Sequence, residues 1–86
     1  MAAQVYRITR YDGTTFDATV GTGDFARSHM EMPDHAEKVS MNVRWPHVLY
    51  LASKREGKFA GTFDEFLNEC ADYDPLESGE STAPPA

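Results

Sequence analysis

The fold is decided by the stretch QVYRITRYDGTTFDATV, which spans residues 4–20. Its two arms are rich in β-branched and aromatic residues, and Asp12-Gly13 lies between them. Two such arms around a turn dipeptide predict antiparallel strands joined by a tight connection. We therefore expect a β-hairpin at the start of the domain.

The side chains of this hairpin also predict its register. A two-residue turn at Asp12-Gly13 would set Thr9 opposite Phe16 and mix apolar with polar groups on each face. A three-residue turn that ends in a left-handed Gly13 keeps the apolar groups together. That register predicts four facing pairs: Ile8 with Phe16, Tyr6 with Ala18, Arg7 with Asp17, and Thr9 with Thr15.

A short helix is predicted directly after the hairpin. Asp24 is a suitable N-cap, and the helix is expected to run to about Met32. Phe25, His29 and Met32 would then share one face at helical spacing. Residues 34–44 show no clear period, so they are expected to form a loop with some helical turns.

The strongest helical signal runs from about Trp45 to Glu56. Pro46 fits the first turn, where a missing N–H is tolerated, and Gly57 fits the position just after the helix. The apolar stripe of this helix consists of Val48, Leu49, Leu51 and Ala52. A kinked helix that begins near Ser40 is the alternative.

The last helix is announced by a capping box, in which Thr62 and Glu65 satisfy each other's backbone N–H groups. Its expected apolar face consists of Phe63, Phe66, Leu67 and Cys70. Pro75 is expected to stop the helix. Residues 76–86 are polar, acidic and rich in proline, so they predict a disordered tail.

A hairpin alone has too few contacts to be stable in water, so its apolar face has to pack on the helices. We therefore predict an α+β fold with a β-hairpin on two to three short helices. Residues 1–75 would form this single domain. A chain of 86 residues has a thin stability margin, so a partner or self-association would help to stabilise it, and a homo-oligomer remains open.

Charge is unevenly distributed along the chain. Residues 1–58 hold all eight basic residues and seven acidic ones, whereas residues 59–86 hold seven acidic residues and no Lys or Arg. The second part would repel a phosphate backbone, and the first part offers no basic stripe. Nucleic acid is therefore not predicted as a partner.

The cellular compartment is predicted from what the sequence contains. Apolar runs are far shorter than the roughly 20 residues of a membrane span, and a secretory signal pattern is absent, so no membrane association is predicted. Cys70 is the only cysteine, which fits a reducing cytoplasm. Its neighbours Glu69 and Asp72 are expected to raise the thiol pKa, and Cys70 is interpreted as an inert, buried or half-buried residue.

One motif superficially suggests a nucleotide. Residues 21–26, GTGDFA, match the GxGxxA pattern between a strand and a helix. The preceding strand belongs to an antiparallel hairpin, however, and Asp24 would face the pyrophosphate. Turn geometry is the preferred explanation of both glycines, and no cofactor is predicted.

Catalytic and metal-binding patterns are also weak. Three histidines lack the spacing of a zinc site: His29, His35 and His47. Three serines lack a base motif nearby: Ser28, Ser40 and Ser53. Asp72 and Asp74 have the spacing of two calcium ligands, but Leu76 and Glu77 replace the third ligand and the glycine. No catalytic, cofactor-binding or metal-binding residue is predicted, and the chain is not expected to be an enzyme.

Bulky side chains are the remaining candidates for function. Five are predicted to bind a partner: Trp45, Leu49, Phe63, Phe66 and Tyr73. Three methionines have two interpretations, either core filling or an adaptable groove for an apolar peptide: Met30, Met32 and Met41.

Two parts of the sequence together resemble a known family. The first is YRITRYDGTTF, residues 6–16, and the second is WPHVLYLASKREGKF, residues 45–59, followed by GTFDEFL, residues 61–67. In this order they resemble the small tail assembly chaperones of long-tailed, siphovirus-type phages of actinobacteria. Those proteins show a strand–Asp-Gly–strand opening, a tryptophan-led helix ending in Lys/Arg-Arg-x-Gly, and a Phe-x-x-Phe-Leu helix with an acidic tail.

The resemblance implies a non-enzymatic, protein-binding chaperone. It would bind the long, apolar, helical tape measure protein in the host cytoplasm until tail-tube subunits replace it. Family catalytic residues do not exist to be carried over. Two alternatives remain from other classes: a structural virion component, such as a head–tail connector or tail subunit, and an acidic host-takeover protein that mimics DNA.

Overall fold

The computed structural model describes residues 3–34 and 38–76. In chain order the elements are β1 (Gln4–Arg10), β2 (Thr15–Val20), α1 (Thr22–Glu31), α2 (Met41–Arg55), α3 (Phe63–Glu69) and β3 (Cys70–Pro75). The strands form one antiparallel sheet in the order β2-β1-β3. The expected α+β class is therefore confirmed, with one strand more than the sequence analysis predicted.

The hairpin has the predicted register. All four facing pairs are observed, including Ile8 with Phe16 and Arg7 with Asp17. Gly13 has φ of 91°, and its N–H donates to the Arg10 carbonyl oxygen at 2.9 Å. These observations confirm the bulged turn. The two-residue turn would have shifted the register by one residue and moved every side chain to the opposite face.

Helix α1 begins earlier than predicted. Its N-cap is Gly21, at φ −127°, and Asp24 is the third helical residue, whose carboxylate accepts the Gly21 N–H at 2.9 Å. Asp24 and Ser28 are buried, whereas His29 is exposed. The predicted face was wrong at His29, because Asp24 and Ser28 are the buried residues of α1, and they lie beside Phe25, which packs against the core.

Helix α2 begins at Met41, so the start at Trp45 was wrong and the alternative near Ser40 is confirmed. Ser40 is the N-cap, and its Oγ accepts the Asn42 N–H at 3.1 Å. Of the predicted loop, residues 35–37 lie outside the described residues, and residues 41–44 are helical. The start of α2 is marked only by its serine cap. Residues 34–44 show no clear apolar period, so the hydrophobic pattern did not indicate a helix there.

Pro46 lies inside α2 and not in its first turn. It cannot donate to the carbonyl of Asn42, but Met41–Val43 are exposed, so water can solvate that group. At the other end Glu56 is the C-cap and Gly57 has φ of 74°. The left-handed glycine after the helix is confirmed.

The core lies between the sheet and the helices. Its fully buried apolar residues come from both layers: Ile8, Ala18, Val20, Val48, Leu49, Tyr50, Leu51, Ala52 and Phe66. Tyr6 and Phe16 are half-buried and pack against this cluster. The predicted packing of the hairpin face on the apolar stripe of α2 is therefore confirmed.

The C-terminal part of the domain differs most from the prediction. The capping box of Thr62 and Glu65 is present, but α3 ends at Glu69 and Pro75 lies in a strand. Strand β3 pairs with the free edge of β1, with Tyr73 opposite Ile8, and contains a bulge near its start. The predicted long last helix was wrong, because pairing with β1 satisfies a row of backbone groups that a helix would leave open.

The strand also explains the side-chain pattern of this segment. Asp72 and Asp74 are exposed and Tyr73 is half-buried, which is the alternation of a sheet with one solvated face. Leu76 continues the pairing, since its N–H donates to the Val5 carbonyl oxygen at 2.9 Å. Residues 77–86 lie outside the described residues, so the disordered tail stays a prediction.

We predict that Phe66→Ala lowers the free energy of unfolding by about 3–5 kcal/mol. The ring is 3% exposed and packs against the rings of Tyr50 and Phe59, with centroids 5.7 and 5.2 Å away. Urea denaturation measures the change. Leu67→Ala is the matched control, because Leu67 is the next residue and is 44% exposed. Equal losses in the two variants would contradict the burial of Phe66.

Candidate functional site

An apolar groove lies where α2, α3 and β3 meet. Ile8, Leu49 and Phe66 are buried at its base, and Leu67 and Tyr73 contribute to its more exposed part. Each layer of the fold thus supplies part of the lining. The groove is open to solvent and has a volume of about 150 Å³.

The groove exists because α3 runs into β3 without a loop. Glu69 is the last helical residue, and Cys70 already has the extended conformation, with φ −99° and ψ 122°. The helix turns Phe66 inward, which leaves Leu67 at the surface above it. The predicted apolar face of the last helix was therefore wrong at Leu67, and Cys70 is half-buried.

The size of the groove limits what it can hold. Ligand sites for drug-sized molecules have volumes of about 300–1,000 Å³, whereas an apolar cavity of about 150 Å³ accepts a group the size of benzene. The groove volume of about 150 Å³ matches the second case. It is suited to one bulky apolar side chain.

Three of the five predicted partner-binding residues line this groove: Leu49, Phe66 and Tyr73. Leu49 and Phe66 also belong to the core, because they are only 2% and 3% exposed. A partner side chain would reach them only if it entered the groove as far as its base. Tyr73 is half-buried and closer to the surface.

The other two predicted residues lie in separate aromatic clusters. Trp45 is half-buried between Tyr6 and Phe25, with ring centroids 5.2 and 5.0 Å away. Phe63 is half-buried against His47 and Tyr50, at 4.8 and 5.4 Å. Aromatic pairs of this kind contribute about 0.5–1.5 kcal/mol each beyond area burial, so both residues have a structural role.

The methionines do not line the groove. Met30 and Met41 are 79% and 54% exposed, and Met32 is half-buried. The interpretation as core filling was wrong for Met30 and Met41. They are single exposed apolar residues, which are ordinary on protein surfaces.

The structure brings together a serine and a base that the sequence analysis did not connect. Ser28 Oγ lies 2.9 Å from His47 Nδ1, and His47 Nε2 lies 3.4 Å from a Glu31 carboxylate oxygen. The order of residues resembles a serine–histidine–acid triad, but the two ring nitrogens are interchanged, since the triad serine faces Nε2 and the triad acid faces Nδ1. Ser28 and His47 are 19 residues apart in the sequence, and no sequence motif connects them.

The burial of these groups is the reverse of what nucleophilic catalysis requires. Ser28 is 0% exposed, whereas the Glu31 side chain is 50% exposed. The Ser28 hydroxyl oxygen also accepts a hydrogen bond from Arg44 Nη1 at 3.0 Å. A substrate cannot reach Ser28 in this arrangement, so the cluster joins α1 to α2 and does not form an active site.

Arg44 completes this polar cluster. Its side chain is 2% exposed and donates to the Ser28 carbonyl oxygen at 2.9 Å and to the Asp34 carboxylate at 3.1 Å. Asp34 also accepts the Val39 N–H at 2.6 Å. Throughout the described part of the chain, every buried side-chain nitrogen and oxygen has a hydrogen-bond partner. The cluster is therefore satisfied within the domain and offers no open group to a ligand.

In the GxGxxA segment, the Asp24 carboxylate lies at the start of α1. Asp24 is 4% exposed, and Arg55 donates to both of its carboxylate oxygens at 3.0 and 2.9 Å. This carboxylate takes the place at the start of α1 where a phosphate would bind. Neither Gly21 nor Gly23 has positive φ, so the left-handed conformation that makes a glycine necessary in a turn does not occur at either position.

Cys70 is half-buried. Burial raises the pKa of its thiol and Glu69 adds to the rise, whereas Arg10 opposes it. The direction agrees with the prediction, but burial is the main cause, and of the two acidic neighbours only Glu69 contributes. In residues 3–34 and 38–76 no group of three or more His, Cys, Asp or Glu side chains could hold a metal ion.

Both edges of the sheet are partly blocked. At β2, Glu56 accepts the Thr19 N–H at 3.2 Å, and Lys58 donates to the Asp17 carbonyl oxygen at 2.6 Å. At β3, Pro75 has no N–H, and the Tyr73 N–H is taken by the Asp72 carboxylate at 2.8 Å. Proline and charged side chains at an edge discourage pairing with another strand.

Sequence reasoning missed the more accessible part of the groove. Pro46 was placed in a helical first turn, and Leu67 was placed in the core. The alternation of Asp72, Tyr73 and Asp74 is a period-two signal that could have predicted β3 and, with it, the groove. The three-residue length of this signal made it weaker than the preceding capping box.

Comparison of the chain with family models, with curated proteins and with solved structures found no match. Among the described residues, no helix has the length and apolar content needed to cross a bilayer.

We predict that His47 makes the stability depend on pH. Burial lowers the pKa of His47 below its ordinary value of 6.5, Arg44 adds to this and Glu31 opposes it. The unfolded chain therefore binds more protons than the folded chain below that value. The stabilisation by neutral His47 is fully present above pH 6.5. It is lost as the pH falls through the lowered pKa of His47 in the folded chain.

Urea denaturation between about pH 7.5 and about pH 5.5 tests this prediction, because histidine titrates in this range. The midpoint should fall with the pH in the wild-type protein, and His47→Gln should remove most of that fall. His29→Gln is the control, since His29 is exposed on α1. An unchanged pH dependence in His47→Gln would contradict the assignment.

Proposed function

We propose that this protein is a non-enzymatic chaperone that binds an apolar segment of another protein. The observation that supports the proposal is the groove between α2, α3 and β3, which contains three of the residues predicted to contact a partner. A concave apolar site of this size fits an anchoring side chain.

The polar clusters of the domain are consistent with this proposal. Ser28 and Asp24 have the partners that hold the helices together. Their hydrogen bonds are used for structure, and the groove is lined mainly by apolar residues. Of the sites described above, the groove is the one that is open to an apolar group of a partner.

The family resemblance supports a specific partner. We propose that the chain acts in the host cytoplasm during phage tail assembly, where it binds the tape measure protein until tail-tube subunits displace it. The segments that carry the resemblance are residues 6–16, 45–59 and 61–67, and they cover most of β1, the first two residues of β2, and most of α2 and α3.

Co-expression with a phage tape measure protein tests the proposal. The wild-type chain should increase the soluble fraction of that protein. Leu67→Glu should lose most of the increase, because a carboxylate in the groove opposes burial of an apolar group. Met30→Glu is the control, since Met30 is an exposed residue of α1 outside the groove. Unchanged tape measure solubility with the wild-type chain would contradict the proposal.

Mass spectrometry of purified particles separates the proposal from a role as a virion component. A chaperone should be absent from the finished particle. A connector or tail subunit would instead be present in many copies, and that result would replace the proposed function.

A further inference from the structure

We infer that the groove binds a single Phe or Leu side chain of a partner segment in which basic residues flank that side chain. The inference rests on the proposed protein-binding role and adds the chemistry of the segment. It does not depend on the partner being a phage protein.

The apolar part of the inference follows from the lining. Leu49 and Phe66 place apolar side chains at the base of the groove. Leu67 is 44% exposed, so part of its apolar surface is open to a partner. The volume of about 150 Å³ accepts one ring or one branched aliphatic group. A longer apolar helix face would leave most of its side chains outside the groove.

The charged part follows from the surroundings. Asp72 is part of the lining, and its carboxylate lies at the outer edge of β3, where it accepts the Tyr73 N–H. Asp64 lies one helical turn from Leu67 on α3, so Asp64 and Leu67 are neighbours on the helix surface. Neither carboxylate has an ion-pair partner within the described residues. Residues 59–76 contain no Lys or Arg. Complementary charge on a partner would be basic.

The cations nearest in the fold are already engaged. Arg10 lies 3.9 Å from Glu69 and 4.6 Å from the centre of the Phe16 ring. Arg7 is paired with Asp17 at 3.0 Å on the other face of the sheet. Neither residue lines the groove, although the Arg10 charge reaches the Cys70 thiol in the lining.

Addition of a partner strand to the sheet is a weaker explanation of this site. Pro75 and the Asp72 carboxylate remove two N–H groups from the edge of β3. The groove is therefore expected to hold its partner by the inserted side chain and the flanking charges, and not by a backbone ladder.

Peptide titration of the full-length ¹⁵N-labelled chain tests the inference. The probe is a short peptide with one Phe flanked by Lys residues, and the comparison peptides have Glu in place of Lys or Ala in place of Phe. The Lys–Phe peptide should shift the amide signals of Leu67, Cys70 and Tyr73. Loss of the Phe ring should weaken binding by at least about tenfold.

Charge reversal in the protein gives the sharper test. Asp64→Lys and Asp72→Lys should each weaken binding of the Lys–Phe peptide and strengthen binding of the Glu–Phe peptide. Met30→Lys is the control, because it adds a cation at an exposed position of α1 outside the groove. Asp64 has no side-chain hydrogen bond within the described part, so its variant tests the charge even if Asp72→Lys disturbs β3.

Each outcome distinguishes this inference from the proposed function. Equal binding of the Lys–Phe and Glu–Phe peptides, signals that shift elsewhere, or no binding would overturn the inference. Co-expression could still increase tape measure solubility in that case. Peptide binding in the groove without any effect on the tape measure protein would instead support the inference and refute the phage partner.

Discussion

Helix α2 is surrounded on all sides at its centre, and the rest of the domain is arranged around it. Residues 47–53 are all buried, although a helix at the surface of a small protein normally exposes about half of its circumference. Val48 and Ala52 belong to one buried cluster with residues of the sheet, His47 contacts Ser28 of α1, and Tyr50 packs on Phe66 of α3. Each neighbouring element is therefore required to bury one side of the same helix.

The polar side of α2 explains why α1 is attached by hydrogen bonds. Arg44 and His47 form hydrogen bonds with Ser28, and Arg55 donates to the Asp24 carboxylate. The contact between α1 and α2 is therefore formed largely by charged and polar groups. Buried polar groups are costly unless every partner is present, but a satisfied network defines one arrangement of the helices. The aromatic contact of Phe25 with Trp45 adds the apolar part of this interface.

The candidate site is a consequence of the same geometry. The sheet gains β3 at one edge, and α3 enters that strand directly, so Leu67 is left beside the buried Phe66. The resulting groove combines an apolar base with one acidic residue, Asp72, in its lining. This combination favours recognition of a side chain with charged neighbours, and it connects the packing of the core to the proposed binding role.

Local signals in the sequence determined the hairpin with its bulged turn, the capping box at Thr62 and the left-handed Gly57, because each depends on residues within a few positions. Part of the candidate site was also predictable, since bulky residues such as Leu49, Phe66 and Tyr73 were identified by type. Only the tertiary structure decided that residues 70–75 pair with β1, that Ser28 meets His47, and that Leu67 stays at the surface. Those outcomes depend on the unpaired edge of β1 and on the sides of α2, which lie far away along the chain, and no local pattern encodes a contact between distant residues.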